Sequence, residues 1–202
     1  MIHKDNITGL VLAGGRGSRM GGVDKGLQLH RGQPLAWHAL QRLAPQVGRT
    51  VVNANRHLED YAGMGAPVWP DTLADQPGPL AGLLAGLQRC TSDYLVTVPC
   101  DSPRLPLDLV ERLVDALVSA QGHRAAGLAV AATRGADGLP QLQPVFCLMH
   151  VGLQRPLAEH VAAGRRRVDR WMLEQQAVVV TFDDAAAFFN ANTLQDLRQL
   201  DA

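Results

Sequence analysis

The residues with the clearest chemical potential lie in a glycine-rich stretch near the start of the chain. It reads LVLAGGRGSRMGGVDKGL at residues 10–27, with five glycines inside nine positions, two arginines and a lysine. Glycine allows a ligand to approach the backbone closely, and successive N–H groups of such a loop bind anions. Arginine and lysine side chains add positive charge for phosphate oxygens. We therefore predict a phosphate-binding loop, built from Gly14, Gly15, Arg16, Gly17, Arg19, Gly21, Gly22 and Lys25.

Two widespread phosphate-binding patterns do not fit this loop. The pattern GxxxxGK[ST] fails because Lys25 is followed by Gly26, and GxGxxG fails because Met20 stands where the third glycine belongs. The loop is also longer than either, since Lys25 comes ten residues after Gly15. That spacing suits a loop that wraps a triphosphate and places an ammonium near the leaving pyrophosphate.

An aspartate that directly follows a buried strand is the candidate metal ligand. The stretch YLVTVPCDSP places Asp101 just past an apolar run. Mg²⁺ takes one or two carboxylates together with phosphate oxygens and water, so one aspartate is enough. The alternative is a helix N-cap, a role that Ser102 or Asp108 could fill equally well. No His and Cys spacing indicates zinc.

Other polar residues follow further predicted strands. Asn53 could pair with a base edge, and Asp71 could accept hydrogen bonds from a base or ribose. Their alternatives are a turn former for Asn53 and a helix cap or turn for Asp71. Gly78 opens the stretch GPLAG, where a nucleotide could lie against a helix start.

Two asparagines, Asn190 and Asn192, precede the last predicted helix. The alternative for this pair is that Asn192 or Thr193 only caps that helix. The basic run GRRRVDRW at 164–171 either steers an anionic ligand or forms a solvated face.

Alternating apolar and amphipathic segments must position these residues. Strands are predicted at 7–13, 50–55, 66–71, 93–101, 127–133, 143–149 and 177–182, and helices at 34–43, 78–90, 106–120, 150–164, 168–176 and 193–200. Residues 134–145 and 183–187 are predicted to be loops or insertions. This order indicates an α/β fold with three α/β/α layers, a mainly parallel sheet and one domain over 1–202. Ligands of such sheets bind at the carboxyl ends of the strands, which would bring the candidates together.

Composition narrows the class of protein further. The 19 basic residues balance the 19 acidic ones, which gives no indication of nucleic-acid or membrane binding. The cysteines, Cys90, Cys100 and Cys147, lack ligand-like spacing and suggest free thiols in a reducing compartment. The N-terminus has no apolar signal core, and no apolar run approaches the roughly 20 residues of a membrane span. We predict a soluble, cytoplasmic protein.

The glycine loop resembles the signature of nucleotidyltransferases, LAxGxGxRM followed by a lysine. Its LAGG and GGxDK parts resemble the molybdenum cofactor guanylyltransferases, which transfer GMP from GTP to molybdopterin. The related cytidylyltransferase more often reads LAAG and lacks the GGxDK spacing. Further stretches agree with the resemblance, namely VNAN, PDTLADQPGPLAGLLAGL, VPCDSPRLP and FFNANTLQDL, so it covers almost the whole chain.

The resemblance implies roles for particular residues on a Rossmann-like nucleotidyltransferase fold. The catalytic residues would be Arg19, Lys25 and Asp101, and Asp101 would bind Mg²⁺. GTP would be bound by Leu12, Ala13, Gly14, Gly15, Lys25, Asn53, Asp71, Gly78 and Asp101. Gly22, Asn190 and Asn192 would bind the acceptor, whose pterin edge suits amides, so the N-terminal part would bind nucleotide and the C-terminal part acceptor. Molybdoenzymes or their chaperones would receive the product.

The expected reaction is an in-line displacement at the α-phosphorus by the terminal phosphate of molybdopterin, which needs no general base. The alternatives with the same chemistry are a cytidylyltransferase and a sugar-phosphate nucleotidylyltransferase. A non-catalytic nucleotide-binding or cofactor-delivery module is the alternative of another class. Asp101 and Lys25 together argue against that module, because binding alone does not require a metal carboxylate.

Overall fold

The computed structural model describes residues 2–13, 24–73, 78–121, 127–135, 137–193 and 195–197. Seven residues of the predicted phosphate-binding loop lie outside these ranges, namely Gly14, Gly15, Arg16, Gly17, Arg19, Gly21 and Gly22.

A seven-stranded sheet forms the centre of the fold. The described strands are β1 (Ile7–Leu12), β2 (Leu29–His30), β3 (Gln33–Pro34), β4 (Arg49–Asn53), β5 (Val68–Trp69), β6 (Tyr94–Pro99), β7 (Leu128–Arg134), β8 (Pro140–His150) and β9 (Val178–Phe182). Their order in the large sheet is β5-β4-β1-β6-β8-β7-β9, and β2 and β3 pair separately as a hairpin. Six strands of the large sheet run parallel, and β8 runs antiparallel to both of its neighbours. The predicted mainly parallel sheet is confirmed.

Helices cover both faces of this sheet. The described α-helices are α1 (Leu35–Leu43), α2 (Leu58–Ala62), α3 (Pro79–Arg89), α4 (Leu109–Gln121), α5 (Gln154–Ala162) and α6 (Val168–Glu174). Successive strand residues point to opposite faces, so Val11 of β1 packs with α1 and α4 while Leu10 packs with α3, α5 and α6. These two separate apolar cores confirm the predicted three-layer architecture.

Several short segments differ from the sequence prediction. Residues 140–142, predicted to be part of a loop, extend β8 beyond the predicted strand 143–149 and pair with β7, where Thr133 lies opposite Gln141. The prediction was wrong because their polar composition hides a strand whose order comes from its hairpin partner. Within 183–187, also predicted to be a loop, Ala185–Phe188 forms a 3₁₀ helix capped by Asp184. The five-residue α2 is an element that the sequence analysis did not predict.

Candidate active site

The carboxyl ends of three neighbouring strands meet at one edge of the sheet. The N–H of Ala13 donates to the carbonyl of Asn53 at 2.8 Å, and the N–H of Cys100 donates to the carbonyl of Leu12 at 3.0 Å. The chain leaving β1 is thus held between the ends of β4 and β6. Leu12, Ala13, Asn53 and Asp101 therefore share one edge, as predicted from the sequence.

Lys25 joins the centre of this edge to the C-terminal segment. Its Nζ lies 3.5 Å from Oδ2 of Asp101 and donates a short hydrogen bond to Oδ1 of Asn192. Lys25 opens a 3₁₀ helix, Lys25–Leu27, which Asp24 caps by accepting from the N–H of Gly26. Asp101 and Asn192, which lie far from Lys25 along the chain, thereby meet at its ammonium group.

The carboxylate of Asp101 lies in a poorly solvated position. Its side chain is 15% exposed, and burial raises its pKa above the usual range, an effect that the ammonium of Lys25 opposes. The preceding Cys100 is buried, and burial together with the charge of Asp101 raises the pKa of its thiol. A thiol in that position stays protonated and is a poor nucleophile, which fits its interpretation as a free structural cysteine.

A divalent cation fits the surroundings of Asp101. Its carboxylate is largely desolvated, and among the described residues the ammonium of Lys25 contacts it at 3.5 Å, so a further positive charge would stabilise the ionised form. Among the residues that the structure describes, no three His, Cys, Asp or Glu side chains come together as a ready-made metal cage. One carboxylate combined with phosphate oxygens and water is the arrangement that Mg²⁺ commonly uses.

Two asparagines hold the carboxylate of Asp71. The Nδ2 of Asn53 donates to Oδ1 of Asp71 at 2.8 Å and to the carbonyl of Trp69 at 2.9 Å. The Nδ2 of Asn55 donates to Oδ2 of Asp71 at 2.7 Å, and its Oδ1 accepts from the backbone N–H of Asp71 at 2.8 Å. Both amide hydrogens of Asn53 are directed at protein acceptors, so its contact to a base would have to use Oδ1. Asn55 also stands at the end of the predicted strand 50–55, but the sequence assigned it no role in nucleotide binding.

The glycines of GPLAG bring helix α3 against this cluster. A Cβ on Gly82 would lie 2.4 Å from Oδ1 of Asn53 and 2.6 Å from Cδ2 of Leu12. Gly78, directly before α3, has a φ of +121°, which side chains rarely adopt. The sequence predicts that a nucleotide lies beside these glycines, and the geometry explains why neither tolerates a side chain.

The C-terminal segment reaches the site through Asn190 and Asn192. Oγ of Ser102 donates to Oδ1 of Asn190, and the carbonyl of Asp101 accepts from the N–H of Ala191 at 2.8 Å. Thr193 is the residue that caps, because its Oγ1 accepts from the N–H of Asp196 at 3.1 Å. The side chain of Asn192 is therefore directed to Lys25 and does not cap the helix.

The basic run at 164–171 forms local ion pairs. Arg165 and Arg170 lie 3.1 Å and 3.5 Å from the carboxylate of Glu174, and Arg167 contacts Asp169. These pairs are exposed, as expected for the solvated face that was one of the two interpretations.

Some residues that the sequence did not predict for the site hold the predicted site residues in place. Ser102 was considered only as a cap, yet it orients Asn190. Tyr61 and Asp24 contact each other beside Lys25. The surrounding stretch HLEDYAGMG mixes polar and apolar residues and carries no signal for this contact.

The fold and this site define a nucleotide-dependent transferase. A family described as "MobA-like NTP transferase domain" matches residues 9–199. The chain belongs to this family, and it is a nucleotidyltransferase. This confirms the resemblance carried by the glycine loop.

Curated relatives match over nearly their whole length. The molybdenum cofactor guanylyltransferase of Bordetella petrii is 58% identical over 200 residues, covering 99% of this chain and 100% of the relative. The protein of the same name from Bordetella pertussis is 57% identical, with 99% of both chains covered. A third, from Methylibium petroleiphilum, is 55% identical over 100% of this chain and 98% of its own.

Solved structures share the fold at low identity. Molybdopterin-guanine dinucleotide biosynthesis protein A from Archaeoglobus fulgidus aligns with a TM-score of 0.71 at 23% identity, covering 95% of each chain. A CMP:2-keto-3-deoxy-manno-octonic acid synthetase aligns with a TM-score of 0.71 at 15% identity, covering 98% of this chain and 97% of its own. At such identities the likeness establishes the Rossmann-like nucleotidyltransferase fold. Over the described residues, the helices are all too short or too polar to cross a membrane.

Proposed function

We propose that the chain is a molybdenum cofactor guanylyltransferase, which transfers GMP from GTP to the terminal phosphate of molybdopterin and releases pyrophosphate. Relatives named for this activity are 51–58% identical over nearly the full chain. The observation that carries the proposal is the convergence of Lys25, Asp101 and Asn192 at the carboxyl edge of the sheet. In the proposed reaction these residues would act as the phosphate-binding lysine, the metal-binding carboxylate and the acceptor-side amide.

The residues of the site would act by positioning and by charge. Lys25 places its ammonium on the phosphates of GTP, together with Arg19 and the backbone of Gly14 and Gly15, which lie outside the described residues. The attacking phosphate of the acceptor is already ionised at neutral pH, so the reaction needs no general base. The protonated thiol of Cys100 has no part in the transfer.

Asp101 would hold the Mg²⁺ ion, a role that its desolvated carboxylate supports. When bound, the ion supplies charge neutralisation on the α-phosphate and the leaving pyrophosphate. Lys25 then has two tasks, since its ammonium neighbours both this carboxylate and the phosphates.

The base and ribose of GTP would lie at the ends of β4 and β5. Asp71 supplies acceptor oxygens for base or ribose donors, and its two amide neighbours, Asn53 and Asn55, fix their direction. Because Gly78 and Gly82 carry no side chain, they leave space for the nucleotide to lie across the start of α3. Leu12 and Ala13 line the path between base and phosphates.

The acceptor would bind on the side of the C-terminal segment. Asn190 and Asn192 offer amides to the donor and acceptor edge of a pterin, and Gly22 would face it from the glycine loop, outside the described residues. The chain would thus act as one domain whose N-terminal part binds nucleotide and whose C-terminal part binds acceptor. Molybdoenzymes or their chaperones would receive the product.

The test measures pyrophosphate release in Mg²⁺ from GTP, ATP and CTP, with and without molybdopterin. Release should require both GTP and molybdopterin. Lys25→Met should lower the rate by about two orders of magnitude or more. Lys4→Met is the matched control, because Lys4 is the other lysine of the chain and is exposed away from the site. A preference for CTP, or turnover of a sugar phosphate alone, would contradict the proposal.

A further inference from the structure

A buried tyrosine contacts the backbone turn that carries Lys25. Tyr61 of α2 is 0% exposed, and its hydroxyl donates a hydrogen bond to Oδ1 of Asp24, which is itself 8% exposed. The same Oδ1 accepts from the N–H of Gly26 at 3.2 Å. One carboxylate oxygen therefore ties together the residues on both sides of Lys25.

Gly26 is the position at which Tyr61 enters this turn. A Cβ on Gly26 would lie 2.4 Å from the hydroxyl oxygen of Tyr61 and 3.1 Å from its ring. Contacts this close leave no room for a side chain. Asp24, Gly26 and Tyr61 thus fit each other as a set, which we call the Tyr61 lock.

The hydroxyl of Tyr61 has no packing purpose of its own. The ring lies in the apolar core beside α1, and a phenylalanine would fill the same volume. A buried hydroxyl is costly unless it is hydrogen-bonded, and here Asp24 supplies the partner. Burial is the main reason that the pKa of Tyr61 lies well above its ordinary value, and the neighbouring Cys100 and Asp24 raise this pKa further. The hydroxyl therefore remains a hydrogen-bond donor.

We propose that Tyr61 is a positioning residue for Lys25: it fixes the backbone of Asp24 and Gly26 so that the ammonium reaches Asp101 and the phosphates. A lysine stem is long and flexible, so its direction depends on how firmly its own backbone is held. The inference rests on the proposed function, in which Lys25 binds the triphosphate. It adds a residue from α2, an element that otherwise takes no part in the site.

The test is a double-mutant cycle between Tyr61→Phe and Lys25→Ala, read out as GTP affinity and as kcat/KM. Tyr61→Phe alone should weaken GTP binding and lower kcat/KM by about tenfold, the factor expected for losing a hydrogen bond to a charged group. In the Lys25→Ala background the same change should cost less than about twofold. Thermal unfolding of each variant reports whether the fold is kept.

Tyr94→Phe is the matched control, because Tyr94 is the other tyrosine of the chain and packs against His150 at the opposite end of β6. It should change GTP affinity by less than about twofold. An equal loss of affinity from Tyr61→Phe with and without Lys25 would mean that Tyr61 only stabilises the fold, and the inference would be wrong. Unchanged affinity in Tyr61→Phe would overturn it as well.

GTP binding requires no acceptor, so the two proposals fail in different ways. A chain that binds GTP but transfers nothing to molybdopterin overturns the proposed function. The cycle measured on GTP affinity still decides whether Tyr61 acts through Lys25.

Discussion

The amide of Asn53 donates to Oδ1 of Asp71 at 2.8 Å, and its second hydrogen is held by the carbonyl of Trp69. Asn53 is buried, so these two bonds replace all the water that its nitrogen would otherwise contact. In the proposed function Asp71 would face the nucleotide, and Asn53 orients its carboxylate.

Replacing Asn53 by aspartate should therefore damage nucleotide binding. Asn53→Asp places a second carboxylate against Asp71, so we expect like-charge repulsion to raise the KM for GTP by about tenfold or more. Steady-state kinetics with varied GTP checks this. Asn55→Asp, at the exposed partner of the same carboxylate, should have the smaller effect; an equal effect would contradict the assignment.

Adding a methyl group at Gly82 should separate the strand ends from α3. Gly82→Ala pushes a Cβ against Oδ1 of Asn53 and the side chain of Leu12, so we expect a loss of stability of about 1–3 kcal/mol and weaker GTP binding. Denaturant unfolding and equilibrium binding measure the two effects. Gly63→Ala is the control, since its Cβ would make contacts of 3.4 Å and should change stability by less than about 0.5 kcal/mol.

Neutralising Asp101 should raise the stability of the fold and lower its activity. Burial raises the pKa of Asp101 above its unfolded value, so its ionised form is disfavoured in the fold. The stability that the protonated form provides is present below the unfolded pKa and is lost as pH rises through the folded pKa. Asp101→Asn should therefore unfold at a higher temperature than the unmodified chain at pH 7, and the difference should disappear at low pH. Turnover should fall by about two orders of magnitude or more.

The prediction would be wrong if Asp101→Asn had a lower melting temperature than the unmodified chain at pH 7 and if this difference did not change with pH. Asp183→Asn serves as the control, because that aspartate is exposed and its removal should leave both stability and turnover nearly unchanged.

Removing the hydroxyl of Ser102 should affect the acceptor more than the nucleotide. Ser102→Ala deletes the donor that orients Asn190, so the KM for molybdopterin should rise by about fivefold while the KM for GTP stays the same. Ser119→Ala, at an exposed position of α4, is the control. A matching rise in both KM values would indicate a general loss of structure instead.

The sequence predicted the layers of the fold because buried parallel strands appear as uninterrupted apolar runs. It did not predict the first three residues of β8, which take strand order from pairing with β7. It also did not predict α2, since five residues are too few to show a helical period. Both failures concern segments ordered by tertiary contacts rather than by their own pattern.

Candidate site residues could be predicted one by one, because polar residues at strand ends are visible in a sequence. Their partners could not. The contacts from Lys25 to Asn192 and from Asn53 to Asp71 depend on how distant segments are brought together. The tasks of Asn55 and Tyr61 were therefore invisible before the fold was known. Cytoplasmic location and the receiving partners remain predictions from the sequence.

The hydrogen bond from Lys25 to Asn192 affects the order in which the two substrates bind. A triphosphate attracts an ammonium more strongly than an amide oxygen does, so GTP would draw Nζ of Lys25 away and release Oδ1 of Asn192. If Asn192 binds the acceptor as proposed, its amide oxygen becomes free for the acceptor only after the nucleotide has bound. We expect compulsory-order kinetics with GTP first, seen as tighter molybdopterin binding in the presence of a non-hydrolysable GTP analogue, and loss of this coupling in Asn192→Ala. The C-terminal segment would thus withhold the acceptor until a nucleotide is ready to react with it.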